Sequence, residues 1–466
     1  MPPFDLLLRG GVLVEESGER RADLAVRDGR IAAILEPGTD AGEATRTVDV
    51  DGALVVPGGL DAHVHFDFGL PPQSSQPYDQ GSLASLYGGS TTVVDFAFRP
   101  PTGGSILEAV EGKRADAEGE MHTDFGLHVI VAGAVGEAEL AEVPAVVAAG
   151  VPSFKLFMNF QDFWPGDAPT KRLLEEVGKH GGTAVFHCEG ADFIDLETER
   201  LLADGPKDYR FTEDSRPAWI ETEATARAAH IAHAADCPLF VLHVTCEGAM
   251  EEVRTAQARG WDVFAETCHN YLVFSKDDVV NRPDGANWGN YPPPRPPQNR
   301  EAIWRGLREG VIDHVSTDDY TAPLAVRNSL GLELPGTPAG HNGVETRMTV
   351  LFSEAVSKRG MTPSEFVGLS STRIARRLGL WPRKGTLQPG ADADIAVIDP
   401  QLRGTIRLED LHTVDYSIWD GFDFVGAPVM TVKSGEIVVE GGRYVGRGPR
   451  GEFLARGEQK GRTKVL

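Results

Sequence analysis

Cysteine is scarce. The 466 residues hold four, Cys188, Cys237, Cys246 and Cys268, with no CxxC pair. Reduced thiols are expected, not a disulfide scaffold. Long apolar runs are missing too. No stretch reaches the roughly 18 apolar residues that a membrane span needs. Met1 to Leu8 has no basic segment followed by a long apolar one, so a signal peptide is not expected. Cations are in deficit: 45 Lys and Arg face 69 Asp and Glu, for a net charge of −24. A nucleic-acid partner is not expected, because no surplus of cations exists to displace counterions. The chain also lacks short repeats, low-complexity tracts and heptads. These absences point to a cytoplasmic enzyme or binding protein with neither membrane nor nucleic acid as partner.

Gly, by contrast, is plentiful at 53, and 41% of residues are hydrophobic, which suits a globular protein of several hundred residues. The two ends of the chain read as short strands with turns. Leu6–Leu8, Val12–Glu15, Ala22–Val26 and Ile31–Ile34 are punctuated by Arg9-Gly10-Gly11 and Asp28-Gly29, and Ile395–Ile398 and Val429–Val439 read the same way. Neither end has enough strands for a comfortable independent sheet, so the expectation is one small β domain built from both. The middle alternates. Eight apolar strand candidates run from Leu54–Val56 through Thr91–Phe96, Gly126–Val131, Val151–Phe157, Thr183–Phe186, Leu239–Val244 and Trp261–Ala265 to Val311–Ser316, with helical patterns such as Ile106–Ala117 and Ala218–Ala235 between them. Continuous apolar strands separated by helices argue for parallel strands covered on both faces. A (β/α)8 TIM-like barrel over 58–384 satisfies this with no edge left over, flanked by β-sandwich halves at 1–57 and 385–466. A doubly wound open sheet is the competing α/β solution.

Barrel enzymes place their chemistry at the C-terminal ends of strands. There the sequence sets His63 and His65, then Lys155 inside an apolar strand, His187, His243 and Asp318. Residues i and i+2 of an extended segment point the same way, so His63 and His65 can grip one cation. A buried ammonium is costly. Lys155 therefore either reaches solvent at the barrel mouth or is chemically changed, for example to a CO2-derived carbamate that would bridge two metal ions. Each group alone has an ordinary structural explanation. Five of eight strands delivering a metal-competent group to one rim does not.

In order and spacing these residues resemble the dihydropyrimidinase/hydantoinase family of cyclic amidohydrolases, within the amidohydrolase superfamily. The likeness runs nearly end to end: Pro57-Gly58-Gly59-Leu60-Asp61-Ala62-His63-Val64-His65, Ser153-Phe154-Lys155-Leu156-Phe157-Met158, His187-Cys188-Glu189, His243-Val244-Thr245-Cys246, Ser316-Thr317-Asp318, and the block from Lys384 to Asp394. The resemblance implies two divalent ions, zinc or alternatively manganese. One would be held by His63, His65, carboxylated Lys155 and Asp318, the other by Lys155, His187 and His243. It implies a hydroxide that opens a ring amide, with Asp318 as the catalytic base and acid, and a homo-oligomer, tetramer or dimer.

The sequence also departs from that family. Phe160 stands where the family has a Tyr that hydrogen-bonds the substrate carbonyl. Tyr291 and Ala339 replace a Ser and an Asn of the substrate pocket. Phe66, Phe68, Leu70, Phe157, Phe160, Phe163 and Trp164 are expected near the mouth, with Phe66 and Phe157 among the substrate contacts. An aromatic mouth suits a cyclic amide with an apolar or aromatic part. Asp67, where dihydroorotases have Arg, disfavours that activity. An allantoinase-like ureide hydrolase is an alternative. A non-catalytic scaffold would lack the six ligand positions, and a mononuclear deaminase would lack the bridging Lys.

Overall fold

The computed structural model describes residues 4–40, 42–70, 73–329, 331–335 and 340–457. Eight parallel strands form one sheet whose neighbours follow chain order: β1 (Gly59–Asp61), β2 (Ser90–Arg99), β3 (Asp124–Val131), β4 (Ser153–Phe157), β5 (Thr183–His187), β6 (Leu239–Val241), β7 (Val263–Cys268) and β8 (His314–Ser316). The seam between β8 and β1 is closed just beyond the strand ends. Val64 bridges Asp319, His65 N–H donates to Asp319 O at 2.9 Å, and Asp318 N–H donates to His63 O at 2.9 Å. This is a (β/α)8 barrel.

Side chains alternate across its wall, as the strand period requires. On β4, Phe154 and Leu156 join the layer between strands and helices. Phe157, two residues from Lys155 and so on the same side of the strand, packs into the barrel interior with Phe96, Ile130 and Val185. Lys155 therefore faces inward. The helices follow the sequence pattern closely, for example Ile106–Ala117 and Ala218–Ala234.

Of the eight strand candidates, the first is misplaced. Leu54–Pro57 is not a barrel strand. It pairs antiparallel with the C-terminal strand Ile395–Thr405 and parallel with Val12–Glu15, in a seven-stranded sheet drawn from both chain ends. Its continuous apolar run has another cause. Val55 turns toward a four-stranded sheet of N-terminal strands, meeting Leu6, Leu24 and Val26. Leu54 and Val56 turn toward the barrel layer. A strand buried on both faces looks the same whether it belongs to a barrel or to the middle layer between two cores. The sandwich also holds an unexpected strand, Gly18–Arg21, exposed throughout and polar, which explains why no apolar pattern announced it.

The chain returns to the barrel at its end. Phe125 N–H donates to Glu452 O at 3.0 Å, Leu454 enters the interior cluster, and Arg456, buried at the base, donates to Ser153 Oγ at 2.7 Å and to Leu127 O. Ser153 Oγ lies 2.6 Å from His128 Nδ1, and His128 Nε2 lies 3.1 Å from Ala62 O, so a polar column rises from the base to the segment carrying His63. All four cysteines are buried and none is in a disulfide. Among the described residues no helix is long and apolar enough to cross a membrane.

Candidate active site

The site is assembled at the β1–β8 seam. Ligand-competent atoms of His63, His65 and Asp318 lie within 4.8 Å of one another, all buried. Asp318 Oδ1 is 3.0 Å from His63 Nε2 and 3.3 Å from His65 Nε2. Phe96 on β2 is the floor: the His65 ring stacks on it at 4.6 Å, the His63 ring lies at 5.0 Å and Lys155 Nζ at 5.9 Å. Across the mouth, the rings of His187 and His243 stand 4.5 Å apart, and His243 is 5.5 Å from His63. All six rim residues expected from the sequence are thus buried and directed into one space.

Local backbone geometry accounts for two of them. On β6, Leu239 and Val241 face the helices while Phe240 and Leu242 face the interior. Continued alternation would send His243 outward; its left-handed φ of 36° breaks the alternation. Asp318 has φ 54°. Such conformations are costly for residues other than Gly and persist where surrounding structure enforces them. At Asp318 the preceding residue is held by Asp61, whose carboxylate accepts from Thr317 N–H at 3.2 Å and Thr317 Oγ1 at 2.7 Å, and also from His63 N–H at 3.3 Å.

Burial depresses the pKa of His63, but the Asp318 and Glu266 carboxylates outweigh it and raise the imidazole to about 9. Burial lowers His65 to about 4, and takes His187 and His243 well below the usual histidine range. Burial also lowers the Lys155 amine to about 7, against the pull of Asp318, and no carboxylate of the described residues reaches ion-pair distance of it. For Asp318, burial is outweighed by His63, which holds the carboxyl well below its ordinary range.

The structure adds residues that the motifs did not assign. Glu266 on β7 accepts from His63 Nδ1 at 2.6 Å and from Ser316 Oγ, and Asn290 Nδ2 donates to Asp318 Oδ2 at 3.2 Å. Glu189 takes His187 Nε2 at 2.8 Å and Arg216 Nη1 at 2.7 Å. Glu266 had a readable signal, a carboxylate inside an apolar strand, but the expected strand stopped at Ala265. Asp319 is committed to the seam, accepting from Gly343 N–H at 2.7 Å, Val344 N–H at 3.1 Å and Gln76 Nε2 at 3.0 Å.

Beside the rim opens a cavity of about 840 Å³, lined among others by Asn159, Phe160, Phe163, Arg216 and Tyr291. Phe160 and Tyr291 therefore share one cavity, their rings 6.4 Å apart, and the Arg216 guanidinium lies 3.7 Å above the Tyr291 ring. Phe157 links this cavity to the rim, 6.1 Å from the Phe160 ring and 5.8 Å from His187. Phe68 also faces the interior, 5.2 Å from His65. Phe66 does not. It is fully buried in the layer between strands and helices, its ring against Gly81, so it is corrected from a substrate contact to a packing residue. Its neighbour Phe68, two residues on, holds the inward position instead. Trp164 likewise packs on the outer layer, 6.2 Å from Phe186. Ala339 lies outside the described residues, and of Leu70 only the backbone is described.

Residues 54–438 match the model of the amidohydrolase family. The chain is 37% identical over 459 residues to a D-hydantoinase of Streptomyces coelicolor, covering 97% of each chain. It is 34% identical to one from Rhizobium radiobacter, over 98% of this chain and all of the relative. A crystal structure of a D-hydantoinase superposes with a TM-score of 0.94 at 32% identity, over 98% of this chain and 99% of that one.

Proposed function

Because the chain belongs to the amidohydrolase family, and within it to the hydantoinase branch, we propose that it hydrolyses the ring amide of a cyclic amide, imide or ureide with two divalent cations, zinc or alternatively manganese. One observation carries the reading: His63, His65 and Asp318 converge on one buried point that faces the His187–His243 pair. The donor set fits such cations, since imidazole nitrogens and carboxylate oxygens are their usual partners, and buried His65 Nδ1 has no partner in the fold. His63, His65 and Asp318 would hold one ion and His187 and His243 the other, with Lys155 contributing to both. Bound divalent cations supply Lewis-acid polarisation of a carbonyl and a lower pKa for water.

The remaining work belongs to side chains. Glu266 accepts the Nδ1 proton of His63 and so presents Nε2 to the site. Lys155, brought to about 7 by burial, offers a neutral amine near neutral pH. Attack of that amine on CO2 forms an N–C bond, releases one proton and leaves a carbamate anion, which supplies two oxygen donors where an ammonium would repel cations. Asp318 takes a proton from the attacking water and returns it to the ring nitrogen as the C–N bond breaks, the double duty of a general base and acid. Phe157, Phe160 and Phe163 form an apolar wall beside the ring, which favours a substrate with an aromatic or bulky apolar substituent.

The test is a turnover screen of protein loaded with zinc or manganese in bicarbonate. The panel holds hydantoin, dihydrouracil, allantoin and aryl-substituted hydantoins. Ring opening of an aryl-substituted member faster than of dihydrouracil is expected. Absence of ring opening across the panel, with two ions bound, refutes the proposal. Lys155→Ala is expected to lose both ions and activity.

A further inference from the structure

Asn159 stands two residues beyond β4, the strand that carries Lys155, and the residue before it is pinned through both of its backbone groups. Met158 N–H donates to His187 O at 3.1 Å, and Ala191 N–H donates to Met158 O at 2.9 Å. Asn159 is thereby fixed between the ends of β4 and β5, next to the rim, and it lines the 840 Å³ cavity. It is 3% exposed. Yet neither its Oδ1 nor its Nδ2 has a hydrogen-bond partner. A buried carboxamide in a structural role is bonded within the fold, because an unmade bond leaves its desolvation uncompensated. Here both halves are left unbonded, in the residue next to Phe160. Phe160 itself can offer only a ring, which packs against Phe157, Phe163 and Tyr291.

We propose that the Asn159 carboxamide is a specificity-determining group that reads the ring amide of the substrate. Ring closure forces a small cyclic amide to be cis, so its C=O and N–H point to the same side. A primary carboxamide carries a C=O and a syn N–H in the complementary arrangement. The two edges close an eight-membered ring of two hydrogen bonds, Nδ2–H to the ring carbonyl and ring N–H to Oδ1. An open-chain trans amide cannot present both groups to one carboxamide, nor can a ring amide alkylated on nitrogen. The substrate class is therefore a cyclic amide with an unsubstituted N–H next to the carbonyl. This inference rests on the ring-opening reading above for the identity of the ligand.

The experiment is a calorimetric titration of the full-length, metal-loaded protein with 5-phenylpyrrolidin-2-one and with its N-methyl derivative. Both are unactivated lactams, so binding is read without turnover. Native protein is expected to hold the N–H lactam about tenfold more tightly, the worth of roughly one net hydrogen bond. In Asn159→Ala and Asn159→Leu that ratio is expected to fall toward one. Asn159→Leu keeps the bulk of the side chain, so steric exclusion of the methyl group alone would leave its ratio at the native value, and a fall in that variant reads the lost hydrogen bond. Melting temperatures of both variants are expected at or above native, since removing an unbonded buried amide removes a cost. An equal ratio in native and variant proteins overturns the proposal, as does a native protein that does not discriminate. A large fall in melting temperature in both variants also overturns it, by showing that the amide is bonded within the fold. Failure of the ring-opening reading itself would appear in the turnover screen and not in this titration.

Discussion

His63 and Asp318 make opposite demands on a proton. In the cation-free protein the two carboxylates beside His63 raise it to about 9, above the unfolded value of 6.5. Its stabilising contribution is complete below pH about 6.5 and is lost as pH rises through about 9. A cation must displace that proton. Zinc affinity is therefore expected to strengthen with pH up to about 9, with release of a proton that titration in buffers of differing ionisation enthalpy would detect. Affinity independent of pH between 6.5 and 9 would remove His63 from the ligand set. Asp318→Asn keeps shape and removes the base, so kcat is expected to fall by roughly 10²–10⁴ at saturating cation, and the melting temperature to fall as well, because a carboxylate that holds the His63 proton is gone. Near-native turnover would mean that another group moves the proton. A phenol donor to the oxyanion at position 160 would be worth about 2.7–4 kcal/mol if nothing else serves it. Phe160→Tyr is expected to raise kcat on plain hydantoin, and an unchanged kcat would show that the oxyanion is already served. The rim histidines, Lys155 and Asp318 were legible because strand ends could be found from hydrophobic pattern alone. Phe66 was misplaced because it lies past the extended His63–His65 segment, where alternation no longer says which way a side chain points, and Asn159 and Asn290 carry no metal-ligand chemistry that would single them out.

Among the strands, β7 is the most informative about what pattern reading can miss. Its Glu266 is fully buried and joins β1, through His63, to β8, through Ser316. Glu266→Gln removes the charge that fixes the His63 tautomer, and cation affinity is expected to drop by roughly 10–100-fold with the fold intact. Metal titration monitored by circular dichroism separates the two effects, and an unchanged affinity would reduce Glu266 to packing. The same strand shows why seven of eight barrel strands were correctly located and one was not. Each of the seven is preceded or followed in the chain by a helix. Leu54–Pro57 is bounded by no helix, and its apolar faces belong to two different cores.

Taken as one object, the molecule is a barrel held at both ends by distant chain. Leu454 is 1% exposed inside the barrel base, and its neighbour Arg456 starts the polar column toward His63. Leu454→Ala is expected to cost about 2–5 kcal/mol of stability, the usual range for a buried leucine, while kcat at saturating substrate stays near native. Denaturant unfolding beside steady-state kinetics checks this; a fall in kcat with unchanged stability would instead mean that the base communicates with the mouth. The pairing of both chain ends into one domain was readable from too few strands at each end, whereas the return of residues 451–456 to the barrel was not, since six residues of irregular chain carry no periodicity.

The strand shared by both cores has a consequence in time. Leu54–Pro57 emerges from the ribosome roughly 340 residues before Ile395–Ile398, its antiparallel partner. At about 5–20 residues per second the nascent chain carries that unpaired apolar edge for roughly 17–70 s. The N-terminal strand pairs, Phe4–Arg9 with Asp23–Arg27 and Asp23–Arg27 with Arg30–Leu35, need no later sequence and can shelter one face at once. The other face waits for the barrel, and the edge waits for the far end of the message. Production of this protein is thus most exposed to aggregation during synthesis, and slower elongation would lengthen the interval and not relieve it.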